Sequence, residues 1–176
     1  MILVNVVALE KELKMIYNVF TDGSYKNIPG LGEFYGSAAF IVPGDDVEKG
    51  VTLTKAGNDE YVSLHNVSGE IFAVMMAMEH CLNVLHVNKE DTIHIFHDFV
   101  GIANWVKRKG EKDYWRAKNQ TTQTYAAYMN SLVKTTTNLV FHHVTGHSGN
   151  VGNELVDKLA KQSIDEYANN LREGLQ

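Results

Sequence analysis

The stretch Met15–Ser24, MIYNVFTDGS, is the part of the sequence that most clearly indicates the fold. Its first part, Met15–Phe20, is almost continuously apolar, which is typical of a strand buried on both faces of a sheet. The run stops at Thr21–Ser24, where a glycine and small polar side chains favour the end of a strand. We therefore predict a buried first strand that carries a carboxylate, Asp22, at its carboxyl end.

The elements that follow suggest an antiparallel meander and then a helix. Phe34–Val42 and Gly50–Lys55 have strand-like composition, and the turn Pro43–Asp46 separates them. From Glu70 the pattern changes to helical spacing, with one apolar stripe formed by Ile71, Val74, Met75, Met78, Leu82 and Leu85. Glu70 is thus expected to open the first helix.

The second half of the chain returns to strands and helices in alternation. Thr92–Phe96 and Asn138–Val144 are rich in β-branched and aromatic residues, and Asp98 follows the first of them. Between them, helices are predicted over Gly101–Lys109 and Thr122–Lys134. The chain closes with an amphipathic helix marked by Val156, Leu159, Ala160 and Ile164. This order predicts an α/β fold with a five-stranded mixed sheet, whose first three strands are antiparallel.

Length and composition limit the classes of protein that fit. The chain has 176 residues, of which 44% are hydrophobic and 21% charged, so we expect one globular domain. No apolar run approaches the roughly 20 residues of a membrane helix, so no membrane partner is expected. Cys81 is the single cysteine, which excludes an internal disulfide and favours a reducing, cytoplasmic location.

The charge distribution is uneven. A net charge of −5 argues against binding to nucleic acid, because phosphate binding usually requires excess lysine and arginine. The segment Lys107–Lys118, however, holds six basic and two acidic residues, with Trp105, Tyr114 and Trp115 interleaved. Taken alone, this basic segment is typical of a solvated helix face. A neighbouring active site would give it a role in binding phosphates.

Four acidic side chains lie near the ends of predicted elements: Asp22, Glu70, Asp98 and Asp157. In open α/β sheets, sites form outside the carboxyl ends of the strands. Clustered carboxylates repel one another unless cations neutralise them, and hard oxygen ligands suit Mg²⁺ or Mn²⁺. Each acid by itself is also ordinary in a turn or at the start of a helix. The residues that flank each acid therefore decide whether it is interpreted as structural or functional.

The sequence around the four acids resembles that of type 1 ribonucleases H, in particular a bacterial and viroplasmin-like branch of the family. Thr21–Ser24 is similar to the opening motif of the family, and Asn66–Glu70, NVSGE, to its second motif. The closest agreement is Gly146–Ala160, GHSGNVGNELVDKLA, with a histidine ten residues before the aspartate. Asp98 stands in His-Asp-Phe where Ser-Asp-Ser is usual, while Gly101, Trp105 and Trp115–Asn119 resemble the branch.

The resemblance implies a ribonuclease H fold with helices on both faces of the sheet, and an endonuclease that hydrolyses the RNA strand of RNA–DNA hybrids. It implies two Mg²⁺ ions about 4 Å apart, with Mn²⁺ able to substitute. Asp22 would bridge the ions, Asp157 would complete one site, and Glu70 with Asp98 the other. The products would carry 5′-phosphate and 3′-hydroxyl ends.

Further roles follow from the resemblance and from the chemistry of the side chains. His147 is expected to move protons or to assist product release, since histidine changes charge near neutral pH. Ser24 and Asn66 are candidates for contacts to 2′-hydroxyls, and Asn119 for a contact to the DNA strand. The basic segment contributes three candidate phosphate ligands, which are Lys109, Lys112 and Lys118.

Three alternatives stay open at this point. A DNA-directed nuclease of the same superfamily would share the fold, a non-catalytic hybrid-binding module would have lost a carboxylate, and an unrelated α/β domain would leave the last motif unexplained. We expect an N-terminal extension over 1–14, a catalytic domain over 15–168 and a tail over 169–176, in a monomer. The short spacing between Trp105 and Asn119 leaves no room for a long basic handle, so modest substrate affinity is expected.

Overall fold

A five-stranded mixed sheet forms the centre of the molecule in the computed structural model, which describes residues 14–135, 138–145 and 149–174. The strands are β1 (Ile16–Ile28), β2 (Gly32–Pro43), β3 (Val51–Gly57), β4 (Thr92–His97) and β5 (Asn138–His143). Their order across the sheet is β3-β2-β1-β4-β5. The three N-terminal strands pair antiparallel, and β1–β4 and β4–β5 pair parallel. The predicted fold class is confirmed.

The first strand differs from its prediction in two respects. It continues through Thr21–Ser24 to Ile28, because the antiparallel pairing with β2 runs unbroken from Tyr17 opposite Pro43 to Ile28 opposite Gly32. Only the parallel pairing with β4 stops early, at Phe20 opposite Phe96. The prediction that the strand is buried on both faces was also wrong at its start. Tyr17 and Val19 on one face are buried, whereas Ile16 on the other face is 48% exposed.

The described residues also form four α-helices, which are α1 (Asn66–Asn83), α2 (Gly101–Asn104), α3 (Gln120–Thr135) and α4 (Val151–Gly174). Helix α1 starts before Glu70, which therefore lies in its second turn and does not open it. Helix α2 is shorter than predicted, because the Asn104 carbonyl accepts a hydrogen bond from the Trp115 backbone at 3.0 Å and the chain turns away. None of the helices in the described ranges is long and apolar enough to cross a membrane.

The helices cover the two faces of the sheet unequally. On one face α1 and α3 enclose the larger core, in which Val19, Ile93 and Ile95 of the sheet meet Met78 and Tyr125 of the helices. Cys81 is buried in the same core. On the other face α4 packs on β2 through a smaller cluster made of Ala38, Phe40, Val42, Val156 and Ala160. This arrangement brings the start of α4 and the second turn of α1 to the same edge of the sheet as the end of β4.

Candidate active site

Two of the four acidic side chains are aligned by the parallel pairing of β1 and β4. Phe20 and Phe96 are opposite each other in that pairing. Asp22 and Asp98 each follow two residues later, so both lie where the parallel ladder ends. The Asp98 carbonyl accepts a hydrogen bond from Nε2 of His143 at 2.9 Å, which ties the end of β4 to β5. The predicted meeting of these two carboxylates at one sheet edge is therefore observed.

Glycines bring the third carboxylate, Glu70, against β1. A Cβ atom on Gly23 would lie 2.1 Å from the Glu70 backbone nitrogen, and one on Gly69 would lie 2.2 Å from the Gly36 carbonyl oxygen. Distances this short leave no room for any side chain, so helix and strand touch backbone to backbone. As a consequence, the Glu70 carboxylate reaches the position of Asp22 from the neighbouring helix.

The three carboxylates form a tight cluster. Asp22, Glu70 and Asp98 each offer one oxygen, and these oxygens all lie within 4.8 Å of one another. Asp157 lines the same cleft but stands outside this cluster, where both its oxygens contact Nζ of Lys161, at 2.6 and 2.8 Å. The remaining wall of the cleft is formed by Gly23, Ser24, Tyr25, His65 and Asn66.

Burial and mutual repulsion shift the protonation of this cluster. Burial, followed by the charge of Asp98, raises the pKa of Asp22 to about 7, although the Gly23 amide donates to its Oδ1 at 2.7 Å and opposes the shift. Burial and the charges of Asp22 and Asp98 also raise the pKa of Glu70 well above its usual range. Without a cation, the cluster therefore holds protons near neutral pH.

The cluster fits a divalent cation by two observations. Its donors are all carboxylate oxygens, which are the ligands that Mg²⁺ and Mn²⁺ prefer. In addition, Oε2 of Glu70 is buried and has no hydrogen-bond partner among the described residues. A buried polar atom without a partner is costly, and coordination to a cation would satisfy it.

Comparison with known proteins identifies the family. A sequence model described as RNase H matches residues 14–165. The chain is 29% identical over 168 residues to the ribonuclease H of Methylobacillus flagellatus, with 86% of this chain and 93% of the relative covered. It is 30% identical over 158 residues to the ribonuclease H of Herminiimonas arsenicoxydans, with 87% and 97% covered. The chain belongs to the RNase H family.

Solved structures agree on the RNase H fold. An N-terminal RNase H domain from Mycobacterium tuberculosis superposes with a TM-score of 0.67 at 14% identity, covering 90% of this chain and 99% of that domain. RNase H1 from Halobacterium salinarum gives 0.62 at 16% identity, covering 86% and 98%. LC11-RNase H1 in complex with an RNA/DNA hybrid gives 0.56 at 17% identity, covering 84% and 99%. Together with the family model and the curated relatives, this fold confirms the predicted ribonuclease H family and enzyme class, and it is consistent with the type 1 branch.

Within this RNase H fold, the predicted substrate-binding residues fall in different places. Ser24 and Asn66 line the carboxylate cleft. Asn119 and Lys118 instead line a separate cavity beside Trp105 and Trp115. The Asn119 carboxamide oxygen is engaged in the structure, because it accepts a hydrogen bond from the Thr122 backbone at 2.9 Å and caps α3.

The lysines of the basic segment are exposed. Lys109, Lys112 and Lys118 all face solvent, and none forms an ion pair with another described residue. Their neighbour Lys107 does pair, with Asp113 at 3.9 Å. The segment is a loop here and not the helix face that its sequence suggested. The three lysines are thus sterically free to meet phosphates.

Some features of this cleft were not predicted from the sequence, and one prediction lies beyond the described residues. Lys161 follows Asp157 at i+4 on α4, a spacing that places the two side chains together and that sequence reasoning could have used. His65 has a positive φ of 55° and its ring lies 4.5 Å from that of Tyr25, for which the sequence gives no signal. His147 lies outside the described residues.

Proposed function

We propose that this chain hydrolyses the RNA strand of RNA–DNA hybrids at the carboxylate cleft. The observation that carries the proposal is the cluster of Asp22, Glu70 and Asp98, whose oxygens lie within 4.8 Å at the edge of an RNase H sheet. Repulsion between the buried carboxylates of such a cluster destabilises the folded state, and clusters of this kind are found mainly at functional sites. Membership in the RNase H family supports the nuclease assignment.

The four carboxylates would hold two Mg²⁺ ions, for which Mn²⁺ could substitute. Asp22 would serve both positions, with Asp157 completing one and Glu70 and Asp98 the other. Bound Mg²⁺ supplies Lewis-acid chemistry, which acidifies water and stabilises negative charge on the leaving oxygen. The chain contributes fixed anionic oxygens on rigid strands and helices, and Asp157 must part from Lys161 to join them. Cleavage in this way gives 5′-phosphate and 3′-hydroxyl ends.

Recognition of the hybrid would involve polar groups in the cleft and cations beside it. Ser24 and Asn66 lie beside the carboxylates, where a hydroxyl and an amide can meet the 2′-hydroxyls that distinguish RNA from DNA. Asn119 would contact the DNA strand, and Lys109, Lys112 and Lys118 would bind phosphates. His147 would move protons or assist product release, contributing roughly 10² or less to turnover, because the metal ions would supply the larger share of catalysis.

The cellular setting is part of the same proposal. A hybrid-bound RNase H1 shares this fold, which supports an RNA–DNA hybrid as the partner. Cys81 is buried and is the single cysteine of the chain, which supports a reducing, cytoplasmic compartment. We infer that the protein acts as a monomer, which light scattering coupled to size exclusion would check.

Matched duplexes test the proposal. RNA–DNA, RNA–RNA and DNA–DNA duplexes of one sequence are incubated with the protein, with and without Mg²⁺, and the products are analysed for their ends. The proposal expects cleavage of the RNA strand of the hybrid alone, dependent on Mg²⁺ and leaving 5′-phosphates. Cleavage of the DNA duplex would indicate a DNA-directed nuclease, and tight hybrid binding without cleavage would indicate a binding module.

A further inference from the structure

One face of the sheet is left uncovered over β1, β4 and β5. Helix α4 packs on this face mainly over β1, β2 and β3, where Phe40 of β2 is buried beneath it. Phe20 and Phe96, which follow Phe40 across the sheet in register, are only partly buried. The uncovered part, which we call the open face, is formed by Ile16, Asn18, Phe20, Thr92, His94, Phe96, Asn138, Val140 and His142.

The open face differs from the opposite face of the same three strands. On the opposite face Val19, Ile93 and Ile95 are buried in the larger core. On the open face none of the nine residues is buried, and Ile16 and Val140 are 48% and 38% exposed. Apolar side chains therefore remain in contact with water over three neighbouring strands.

The open face also lacks charged side chains. None of its nine residues is an aspartate, glutamate, lysine or arginine. Its two histidines, His94 and His142, share a hydrogen bond of 2.6 Å between Nδ1 and Nε2, and one ring of such a pair must be neutral to accept it. Surfaces that face water usually carry charged residues, whereas uncharged patches with exposed apolar groups are typical of surfaces that are covered by another segment or protein.

A groove extends the open face towards α4. Its volume is about 290 Å³, and its wall includes Phe20, Val42, Val47 and Val151. Val47 and Val151 are 63% and 78% exposed. The groove therefore offers additional apolar surface next to β1.

The N-terminal part of the chain joins the described structure at the edge of the open face. The Met15 nitrogen donates to Oδ1 of Asp91 at 2.8 Å, and the Met15 carbonyl accepts from the Thr92 amide at 2.9 Å. These bonds fix the chain between the starts of β1 and β4, beside Ile16. Residues 10–14 can span at most about 17 Å, whereas three strands are only about 10 Å across. The residues before them can therefore reach every part of the open face.

We propose that residues 1–9 of this chain, MILVNVVAL, pack on the open face and in its groove. Eight of these nine residues are apolar and none is charged, which matches the uncharged surface, and the charged residues Glu10, Lys11 and Glu12 follow immediately. Contact removes apolar surface of both partners from water, and the covalent link gives the segment a high effective concentration at the face. The proposal does not depend on the nuclease function.

The reactivity of introduced thiols in the full chain tests whether the open face is covered. Val140→Cys places a thiol on the open face and Val100→Cys places one at the start of α2, outside it, and both valines are 38% exposed. The native Cys81 should not react, because burial shields it and raises the pKa of its thiol to about 12. If residues 1–9 cover the face, Val140→Cys should react with a maleimide at least about tenfold more slowly than Val100→Cys. Equal rates would refute the proposal.

Substitutions within the segment identify what covers the face. In the Val140→Cys chain, Val4→Asp together with Val7→Asp should raise the labelling rate to that of Val100→Cys, whereas Val4→Leu together with Val7→Leu should keep it slow. Labelling of Val100→Cys with the same substitutions should not change, and Cys81 should stay unlabelled while the chain is folded. Protection that survives the two aspartates would overturn the proposal, and its loss on dilution would then identify a second copy of the chain as the cover.

Discussion

At the scale of single residues, the surroundings of each carboxylate decide its chemistry. Asp22 and Glu70 are 5% and 2% exposed, and burial together with neighbouring acids raises the pKa of both. Asp157 is chemically the same group, but it is partly exposed and its charge is balanced by Lys161. Binding of a cation therefore relieves the most charge repulsion at the three-carboxylate cluster.

Asn119 has a structural role that can be separated from its proposed contact with DNA. Its oxygen caps α3 through the Thr122 amide, so Asn119→Ala should lower the free energy of unfolding by about 1 kcal/mol. Asn119→Asp keeps the capping oxygen and loses the amide donors. We expect it to retain stability in urea denaturation while weakening hybrid binding. If Asn119→Asp binds the hybrid like the parent, Asn119 is only a helix cap.

At the scale of elements, backbone contact between β1 and α1 positions Glu70. Gly23→Ala would place a methyl group 2.1 Å from the Glu70 nitrogen, so α1 must move. Overpacking of this kind costs about 1–3 kcal/mol, and we also expect cleavage to fall, since the shift separates Glu70 from Asp22. Urea denaturation and hybrid cleavage would measure both effects.

A matched glycine controls for the substitution itself. Gly174 is the last residue of α4, and no heavy atom of the described residues lies within 4 Å of a Cβ added there. Gly174→Ala should leave cleavage and stability almost unchanged. Equal effects of Gly23→Ala and Gly174→Ala would show that the close contact of β1 with α1 does not position the site.

The role of the basic segment in binding phosphates can be tested by the salt dependence of substrate affinity. Replacing Lys109, Lys112 and Lys118 together with alanine should raise the Michaelis constant and leave turnover at saturation nearly unchanged. Each lost phosphate contact should reduce the slope of log affinity against log salt by about 0.9 for a duplex of B-like charge density. Replacing Lys14, Lys49 and Lys89 gives a control of equal charge. An unchanged slope would make the segment an ordinary solvated loop.

The sequence predicted the type and order of the main elements but not all of their ends. Strand β1 runs on to Ile28 because its pairing with β2 outlasts the turn-like residues Thr21–Ser24. Helix α2 stops at Asn104 because a backbone bond from Trp115 replaces the next helical bond. Both outcomes depend on partners distant in sequence. The four acids were identifiable from their motifs, and the i+4 spacing of Asp157 and Lys161 could also have indicated their ion pair.

At the scale of the whole molecule, the cluster links stability to pH and to metal. The pKa of Asp22 rises from 3.8 in the unfolded chain to about 7 in the folded one, so between these values the folded state binds more protons. The free energy of unfolding contributed by Asp22 therefore falls as pH rises through this window. Burial lowers the pKa of His97 from 6.5 in the unfolded chain to about 4 in the folded one. Between these values the unfolded state binds more protons, so the free energy of unfolding contributed by His97 rises with pH.

Comparison with a variant isolates the contribution of the cluster. We expect the parent chain to lose stability relative to Asp22→Asn as pH rises from 4 to 7 without divalent ions. Mg²⁺ should stabilise the parent more at pH 8 than at pH 5, because protons compete with it at the lower pH. Urea denaturation at each pH provides both quantities. A constant difference between the parent and the variant across this range would contradict the raised pKa.

The most direct test of the account is the rate of RNA–DNA hybrid cleavage by Asp22→Asn in saturating Mg²⁺, measured per folded molecule. The central claim is that Asp22 serves both metal positions, so the variant should lose cleavage. Measured without divalent ions, its thermal midpoint should hold or rise, because one charge leaves a repelling cluster. Asp46→Asn, at an exposed carboxylate paired with Lys49, should cleave normally. Near-normal turnover by Asp22→Asn would contradict the account.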